Sequence, residues 1–220
     1  MTIFLNNYVF WGVMIITFQE LLDIAVITLA LGFIFKDTFV SRPRSETYDP
    51  LKHHSQKIIF WDNFWFACAA VAPAIILHEA AHKFVGLGFG LSSTFHAAYM
   101  WLGIGILLKL VNFGFIFFVP AYVSSYCPQA ATTAFCVASS QGFLVPTDFA
   151  AAMLSLAGPL TNCVLWIGSA LVLKFGNVKR KWIPFLAVSK NINMFLFIFN
   201  MVPIPGFDGY SFFTHILKVF

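Results

Sequence analysis

Apolar stretches of roughly membrane-spanning length alternate with short polar segments along this chain. About 20 helical residues cross the hydrocarbon core of a bilayer. Four apolar stretches come close to or exceed that length, at residues 20–35, 59–84, 151–173 and 183–201. The pattern therefore predicts four membrane-spanning helices, joined by segments whose prolines, glycines and charges are typical of loops.

A further apolar stretch, at residues 97–120, has polar residues near its middle. Lys109 and Asn112 lie there with several glycines, and a lysine at the centre of a lipid-facing helix costs about 3 kcal/mol. We therefore expect a membrane-re-entrant, β-like hairpin over residues 90–122, which would return the chain to the side that it left. Such backbone is tolerated in a bilayer only where it packs on protein or lines a wet cavity. A single tilted span is the alternative.

Composition indicates the same class of protein. The 220 residues are 60% hydrophobic and 10% charged, whereas a soluble domain carries about 25% charged residues. We expect an all-α integral membrane protein, a polytopic helix bundle that forms a single domain over residues 1–220. The formal net charge of +4 lies mostly in two polar segments, which favours lipid headgroups over nucleic acid as the charged partner.

The motif H-E-x-x-H interrupts the second predicted span. His78 and His82 lie four residues apart, so on a helix both imidazoles share a face and can bind one metal ion. Glu79, beside the first ligand, could take a proton from a water at that metal. A pair of helical histidines beside a surface glutamate is the alternative, but ionisable groups in a membrane-length apolar run are usually functional.

A catalytic zinc site needs a third protein ligand besides two histidines. Asp208 follows the last predicted span, in the segment N-x-x-P-x-P-x-x-D-G at 200–209. The two prolines favour extended backbone, so we expect a rigid non-helical loop that presents the Asp208 carboxylate. Asn162 ends the segment A-G-P-x-x-N near the start of the third span, where its amide needs a partner. These residues lie at one membrane depth only if residues 85–150 return to the side that they left.

The three motifs, in this order on successive spans, resemble the site-2 protease family of intramembrane zinc metalloproteases. The segments E-L-L-D at 20–23 and F-I-F-F-V-P at 115–120 are similar to its archaeal branch. The resemblance covers most of the chain. It implies that Zn²⁺ is bound by His78, His82 and Asp208.

The resemblance also implies an activity. Glu79 would be the general base and acid, and Asn162 would contact the substrate backbone or the oxyanion. Members of the family cleave membrane-anchored helical substrates within the bilayer. The resemblance therefore implies a multi-pass protein of the cell membrane. Its expected partners are the lipid bilayer and a membrane-anchored protein substrate. The family also has a re-entrant β-like segment after H-E-x-x-H.

Two other functions remain open at this point. A non-catalytic membrane zinc-binding scaffold or transporter would keep the metal ligands but would have no need of Glu79 or Asn162. A different membrane metalloprotease would use a glutamate as the third ligand, but no glutamate follows Glu79 in the chain.

The orientation of the site is indicated in two opposite ways. The basic segments at 36–58 and 174–182 should lie at the face opposite the site, and basic loops usually face the cytosol. The resemblance implies a site toward the cytosolic side. The two indications disagree.

Four further polar or sulfur-containing residues have structural interpretations. Glu20 and Asp23 open the first span, where a helix N-terminus favours negative charge, and we expect them to act as caps. Cys127 and Cys136 flank a short polar stretch and could form a disulfide, which the sequence alone does not decide. No C-x-x-C pattern occurs, so a cysteine zinc site is not expected.

Overall fold

The computed structural model describes residues 16–38, 57–113, 119–128 and 134–220. Most of these residues are helical. In chain order the elements are α1 (Phe18–Phe35), α2 (Lys57–Gly88), β1 (Ser92–Ala97), α3 (Tyr99–Leu110), β2 (Ala121–Tyr126), β3 (Cys136–Ala138), β4 (Leu144–Pro146), α4 (Asp148–Phe175), a 3₁₀ turn (Arg180–Trp182), α5 (Ile183–Asn200) and α6 (Asp208–Ile216).

Four described helical segments are long and apolar enough to cross a membrane: Phe18–Phe35, Trp61–Gly88, Asp148–Phe175 and Arg180–Asn200. They coincide with the four predicted spans, with ends shifted by a few residues. Many large apolar side chains on these helices are exposed, and apolar faces of this extent are typical of contact with lipid. The mostly helical architecture and the four long helices are therefore confirmed.

The apolar core lies where α1, α2, α3 and the strands β1 and β2 meet. Its buried side chains are almost entirely aliphatic, because these faces pack on one another. They include Ile27, Leu31, Val71, Ile75, Phe95, Leu102 and Ala121. α4 packs against α2, α5 and α6, and it is this second group of helices that completes the site described below.

Helix α1 begins with a capping box in which the Thr17 hydroxyl accepts from the Glu20 amide and the Glu20 carboxylate accepts from the Thr17 amide. Glu20 also accepts a hydrogen bond from the backbone amide of Phe95, at 2.8 Å. Asp23 accepts from the backbone amide of Ala97, at 3.0 Å. The expected cap is therefore confirmed for Glu20, but the two carboxylates also bind the outer edge of β1.

Strands β1 and β2 form an antiparallel pair with Ser92 opposite Tyr126 and Ala97 opposite Ala121. The segment that connects the two strands therefore begins and ends at neighbouring positions, since Ala97 at the end of β1 lies opposite Ala121 at the start of β2. The segment differs from the β-like hairpin that we expected over residues 90–122, because the helix α3 lies between its two paired strands. Residues 114–118 lie outside the described residues, and entry of the segment between β1 and β2 into a bilayer stays a prediction.

Lys109, near the end of α3, forms an ion pair with Asp37 just beyond the end of α1, at 2.8 Å. α3 thus runs alongside α1 to its far end, and the lysine charge is neutralised there. Burial raises the pKa of Asp37, but hydrogen bonds from Lys109 and Lys36 outweigh it and lower that pKa from its usual value.

The segment between β2 and α4 is a small hairpin tied to β2 by a disulfide. Strand β3 pairs antiparallel with β4, and Cys127 is bonded to Cys136. Phe135, beside β3, packs against Phe89 at the end of α2, with ring centroids 4.6 Å apart. The structure therefore places this disulfide near the end of α2 that follows H-E-x-x-H.

Candidate metal centre

Three ligand atoms converge from distant parts of the chain. The Nε2 atoms of His78 and His82 on α2 lie 3.1 Å apart. The Asp208 Oδ2 atom lies 3.0 Å from the His78 Nε2 atom and 3.3 Å from the His82 Nε2 atom. Ligand atoms about 2.0 Å from a tetrahedral Zn²⁺ lie about 3.3 Å from one another, so the three atoms have the spacing that such a metal requires.

Each histidine is oriented by a hydrogen bond at its other ring nitrogen. The His78 Nδ1–H group donates to the Asn162 Oδ1 atom, and the His82 Nδ1–H group donates to the Leu154 carbonyl at 2.7 Å. These bonds fix the tautomer that leaves Nε2 as the acceptor, which is how metal-binding histidines are usually held. Both partners belong to α4, so that helix orients the ligands of α2.

Gly158 explains how α4 comes so close to the imidazoles. A Cβ atom at this position would lie 2.5 Å from the His78 Nε2 atom and would also overlap the His82 Nε2 atom. Only glycine leaves that space to the ring nitrogens. Gly158 therefore allows the backbone of α4 to approach the two imidazoles closely. The helix α4 continues through Pro159 without ending.

Asp208 is the first residue of α6, and not part of a non-helical loop as we expected. Gly209 packs directly against the carbonyl of Met201, which folds the Pro-containing loop tightly onto the end of α5. The Asp148 carboxylate accepts from the His215 Nδ1–H group at 2.6 Å, so the last turn of α6 is tied to the start of α4. Together these contacts fix the direction in which the Asp208 carboxylate points.

The electrostatics of the cluster favour an ionised aspartate. Burial raises the pKa of the Asp208 carboxyl. Without a metal ion, hydrogen bonds from the Nε2 atoms of His78 and His82 in their protonated form outweigh burial and hold that pKa well below its usual value. A carboxylate beside two imidazoles is a donor set that suits Zn²⁺. His78, His82 and Asp208 are therefore compatible with a metal site.

The cluster opens into a cavity of about 740 Å³ whose walls are mainly apolar. Glu79 lines the same cavity and is otherwise buried, so its carboxylate can reach a molecule bound beside the metal ligands. The other walls come from α1, α4, α5, β2 and the loop before α6, including Leu31, Val123, Ser155, Phe195 and Phe207.

Asn162 is fully buried and its amide is fully used. Its Oδ1 atom accepts from His78, and its Nδ2 group donates to the Ala74 carbonyl at 3.0 Å and to the Asn193 Oδ1 atom at 2.8 Å. The structure thus places Asn162 behind His78, while Asn200 lines the cavity. We had not singled out Asn193, because a lone asparagine in an apolar helix does not reveal its partner.

Comparison with known proteins gives one informative relative. No family model matches the chain, and no solved structure matches it. A protein of Methanocaldococcus jannaschii that bears the name "Putative zinc metalloprotease MJ0611" is 31% identical over 194 residues, which cover 87% of this chain and 81% of the relative. Because the identity extends over most of both chains, and because the cluster is compatible with a metal site, this chain belongs to the same zinc metalloprotease family as the protein that bears this name.

Proposed function

We propose that this protein is an intramembrane zinc metalloprotease of the site-2 protease type, which hydrolyses peptide bonds of membrane-anchored helical substrates. One observation carries the proposal. The three metal ligands and the Glu79 carboxylate line one mainly apolar cavity, and that cavity is walled by helices of membrane-spanning length. An apolar segment in the bilayer would enter such a site laterally, whereas a soluble substrate would first have to leave water for the bilayer.

The chemistry needs a base close to the metal ligands. Zn²⁺ held by His78, His82 and Asp208 would supply Lewis-acid activation of a water molecule and of the scissile carbonyl. Glu79 takes a proton from the attacking water at its carboxylate and passes it to the leaving amine. His78, Glu79 and His82 are buried, and burial strengthens electrostatic interactions because it keeps bulk water away from them.

We assign different roles to the two asparagines near the site. Both N–H groups of Asn162 are donated to protein oxygens, so Asn162 has no donor left for an oxyanion and instead positions His78. Asn200 lines the cavity at the end of α5, before the loop that leads to Asp208. Its amide is therefore the one that we propose to stabilise the oxyanion.

A strand edge beside the metal ligands suits an extended substrate. The outer edge of β1 is bound by Glu20 and Asp23, so the edge that remains for a further strand is that of β2. Residues 121–123 of β2 line the cavity. A substrate helix would unwind locally and add to β2 as a strand, since helical carbonyls are otherwise hydrogen-bonded and inaccessible.

The test is cleavage of a membrane-anchored reporter by the purified full-length protein in detergent. Glu79→Gln should reduce the rate by about 10²–10⁴-fold because the general base is lost, while bound zinc is retained. The matched control is Asp62→Asn, an exposed carboxylate at the other end of the same helix, which should cleave at the wild-type rate. Full activity of Glu79→Gln would refute the assigned base. Zinc binding without any cleavage by the wild-type protein would favour the non-catalytic scaffold or transporter.

A further inference from the structure

Glu20 and Asp23 are more deeply buried than the cap of a helix requires. Each residue is only 1% exposed, and withdrawing a carboxylate from water is unfavourable unless it is paired and hydrogen-bonded. A cap forms equally well at the surface, where the carboxylate keeps its hydration. The burial of both side chains therefore has to be explained by the groups that they bind.

The Glu20 carboxylate joins α1 to the two elements beside it. Its Oε1 atom accepts from the Lys83 ammonium group and from the backbone amide of Phe95 on β1, at 2.8 Å. Lys83 is itself buried and directly follows His82 on α2. One oxygen atom therefore links the helix that carries H-E-x-x-H to the strand β1.

The Asp23 carboxylate binds the same strand two residues further along. Its Oδ2 atom accepts from the backbone amide of Ala97 at 3.0 Å, and its Oδ1 atom accepts from the Tyr99 hydroxyl and from the Gln19 side-chain amide. In an antiparallel pair, every second amide of a strand points away from the partner strand. The two carboxylates therefore bind the outward amides of β1, where a neighbouring strand would otherwise bind.

The position of β1 determines that of β2, which lines the cavity. Phe95 lies opposite Val123, and Ala97 lies opposite Ala121. Val123 and Ala121 line the cavity together with the residues of H-E-x-x-H. Each amide of β1 that a carboxylate binds thus belongs to a residue opposite a cavity-lining residue of β2. The contacts of the two carboxylates therefore hold this wall of the cavity at a fixed position relative to α1 and α2.

Packing holds the start of β1 and the end of β2 against α2. A Cβ atom at Gly86 would overlap the Ser93 Oγ atom and would lie 3.1 Å from the Ser125 Oγ atom. These two hydroxyl groups are hydrogen-bonded to each other across the strand pair, at 2.7 Å. Such a contact limits how closely the sheet approaches the helix, whereas the directional hydrogen bonds of Glu20 and Asp23 resist sliding.

We propose that Glu20 and Asp23 are positioning residues that set the register of a substrate strand on β2 relative to Glu79, and so determine which peptide bond is cut. This rests on the proposed function, because it takes β2 to be the strand to which the substrate adds. Successive residues of an extended strand are about 3.3 Å apart. A sheet that slides along α2 would therefore present neighbouring peptide bonds to the same base, while a smaller misplacement, of about 1 Å, would lower the rate by about 10²-fold.

The first test compares Asp23→Ala with Asp23→Asn in the purified full-length protein in detergent. Asparagine keeps an oxygen for the Ala97 amide, whereas alanine leaves that amide without its acceptor. On a membrane-anchored reporter, Asp23→Ala should cut at several neighbouring bonds, as mapped by mass spectrometry, and should lower kcat by about 10–100-fold. Its KM should stay unchanged because pairing with β2 is intact, and Asp23→Asn should restore the single cut of the wild type. A single wild-type cut and a wild-type kcat in Asp23→Ala would overturn the proposal.

Glu20 is tested together with its partner. Replacing Glu20 alone would leave the Lys83 ammonium group buried and unpaired, which strongly destabilises a fold. Glu20→Gln combined with Lys83→Met removes both charges and keeps a side-chain oxygen for the Phe95 amide, so that only the link to α2 is lost. This double variant should also spread the cuts over neighbouring bonds. A single cut at the wild-type bond would overturn the role assigned to Glu20.

Ile27→Ala is the matched control for a general loosening of α1. Ile27 is fully buried on the same helix and is not among the described residues that line the cavity. Its truncation therefore weakens the packing of α1 without touching either carboxylate, and it should lower the melting temperature but keep the single cut. Spread cuts in Ile27→Ala would reduce the two carboxylates to a structural role and overturn the proposal.

Spin labels give a readout that needs neither zinc nor substrate. Tyr126 on β2 and Trp65 on α2 are exposed, so Y126C and W65C take one label each once the free Cys68 and Cys163 are replaced by alanine. Double electron–electron resonance on the metal-free protein should give one narrow distance distribution, which Asp23→Ala broadens or shifts. An unchanged distribution would overturn the proposal. Failure of the wild type to cleave any reporter would instead overturn the proposed function and, with it, the choice of bond, even if the distances change as expected.

Discussion

Gly158→Ala tests whether the approach of α4 to the imidazoles is what shapes the metal centre. The added Cβ atom would lie 2.5 Å from the His78 Nε2 atom and 2.7 Å from its Cδ2 atom. Ordinary contacts of this kind are about 3.5–4.0 Å, so the ring or the helix must move by about 1 Å. The ring cannot move freely, because its Nδ1–H group is bound to the buried Asn162.

The expected result is a large functional loss with a modest cost in stability. A misplacement of about 1 Å at a catalytic group lowers activity by about 10²-fold, and overpacking costs about 1–3 kcal/mol in the free energy of unfolding. The metal ligands themselves are displaced, so zinc affinity should fall together with the rate. Zinc retained against graded chelator, reporter cleavage and thermal unfolding of the purified protein measure the three quantities.

Gly168→Ala is the matched control on the same helix. A Cβ atom at Gly168 meets nothing within 4 Å, so this change should leave zinc binding and cleavage unchanged and alter stability by at most about 1 kcal/mol in the favourable direction. If Gly158→Ala retains zinc against chelator and cleaves the reporter as well as the wild type does, the view that this glycine makes room for the ligands is refuted.

Three further predictions concern other parts of the site and its surroundings. Asp208→Ala should lose most of its bound zinc, and equal zinc content in the variant and the wild type, measured by elemental analysis, would remove the proposed third ligand. Asn162→Ala should lower zinc affinity by about 10–100-fold because His78 loses its orienting partner. Asn200→Ala should keep its zinc and lower kcat by about 10²–10³-fold because the oxyanion loses a donor. Titration with a chelator measures the first effect and reporter kinetics the second, and exchanged effects would show that the two asparagines have the opposite roles. Replacing Cys127 and Cys136 by serine should lower the free energy of unfolding by about 2–4 kcal/mol without changing zinc content, and an unchanged melting temperature in detergent would contradict a stabilising bond.

The features that the sequence alone predicted depend on short stretches of chain. The four long helices follow from hydropathy over about 20 residues, since each helix satisfies its backbone hydrogen bonds internally. His78 and His82 share a face because of helical geometry over four residues. Asp208 could be chosen because few carboxylates follow the H-E-x-x-H motif in so apolar a chain.

The expected β-like hairpin over residues 90–122 contains the helix α3 for a related reason. Residues 99–110 form a helix in spite of Gly103 and Gly105, because a helix needs no partner strand to satisfy its backbone. The polar residues that argued against a helix are accommodated elsewhere, because Lys109 reaches Asp37 at the far end. That pairing depends on how α3 packs along α1, which no local pattern contains.

The sequence by itself thus determined the long helices, their apolar character and the residue types able to bind a metal. Only the tertiary structure decided how these residues meet: His78 and Asp208 are separated by 130 residues and His78 and Asn162 by 84. It also decided that Glu20 and Asp23 bind the edge of β1 and that Gly158 admits the imidazoles. The physical reason is that hydropathy and helical periodicity act over a few turns of chain, whereas ligand spacing, hydrogen-bond partners and close backbone approach arise when separate helices pack.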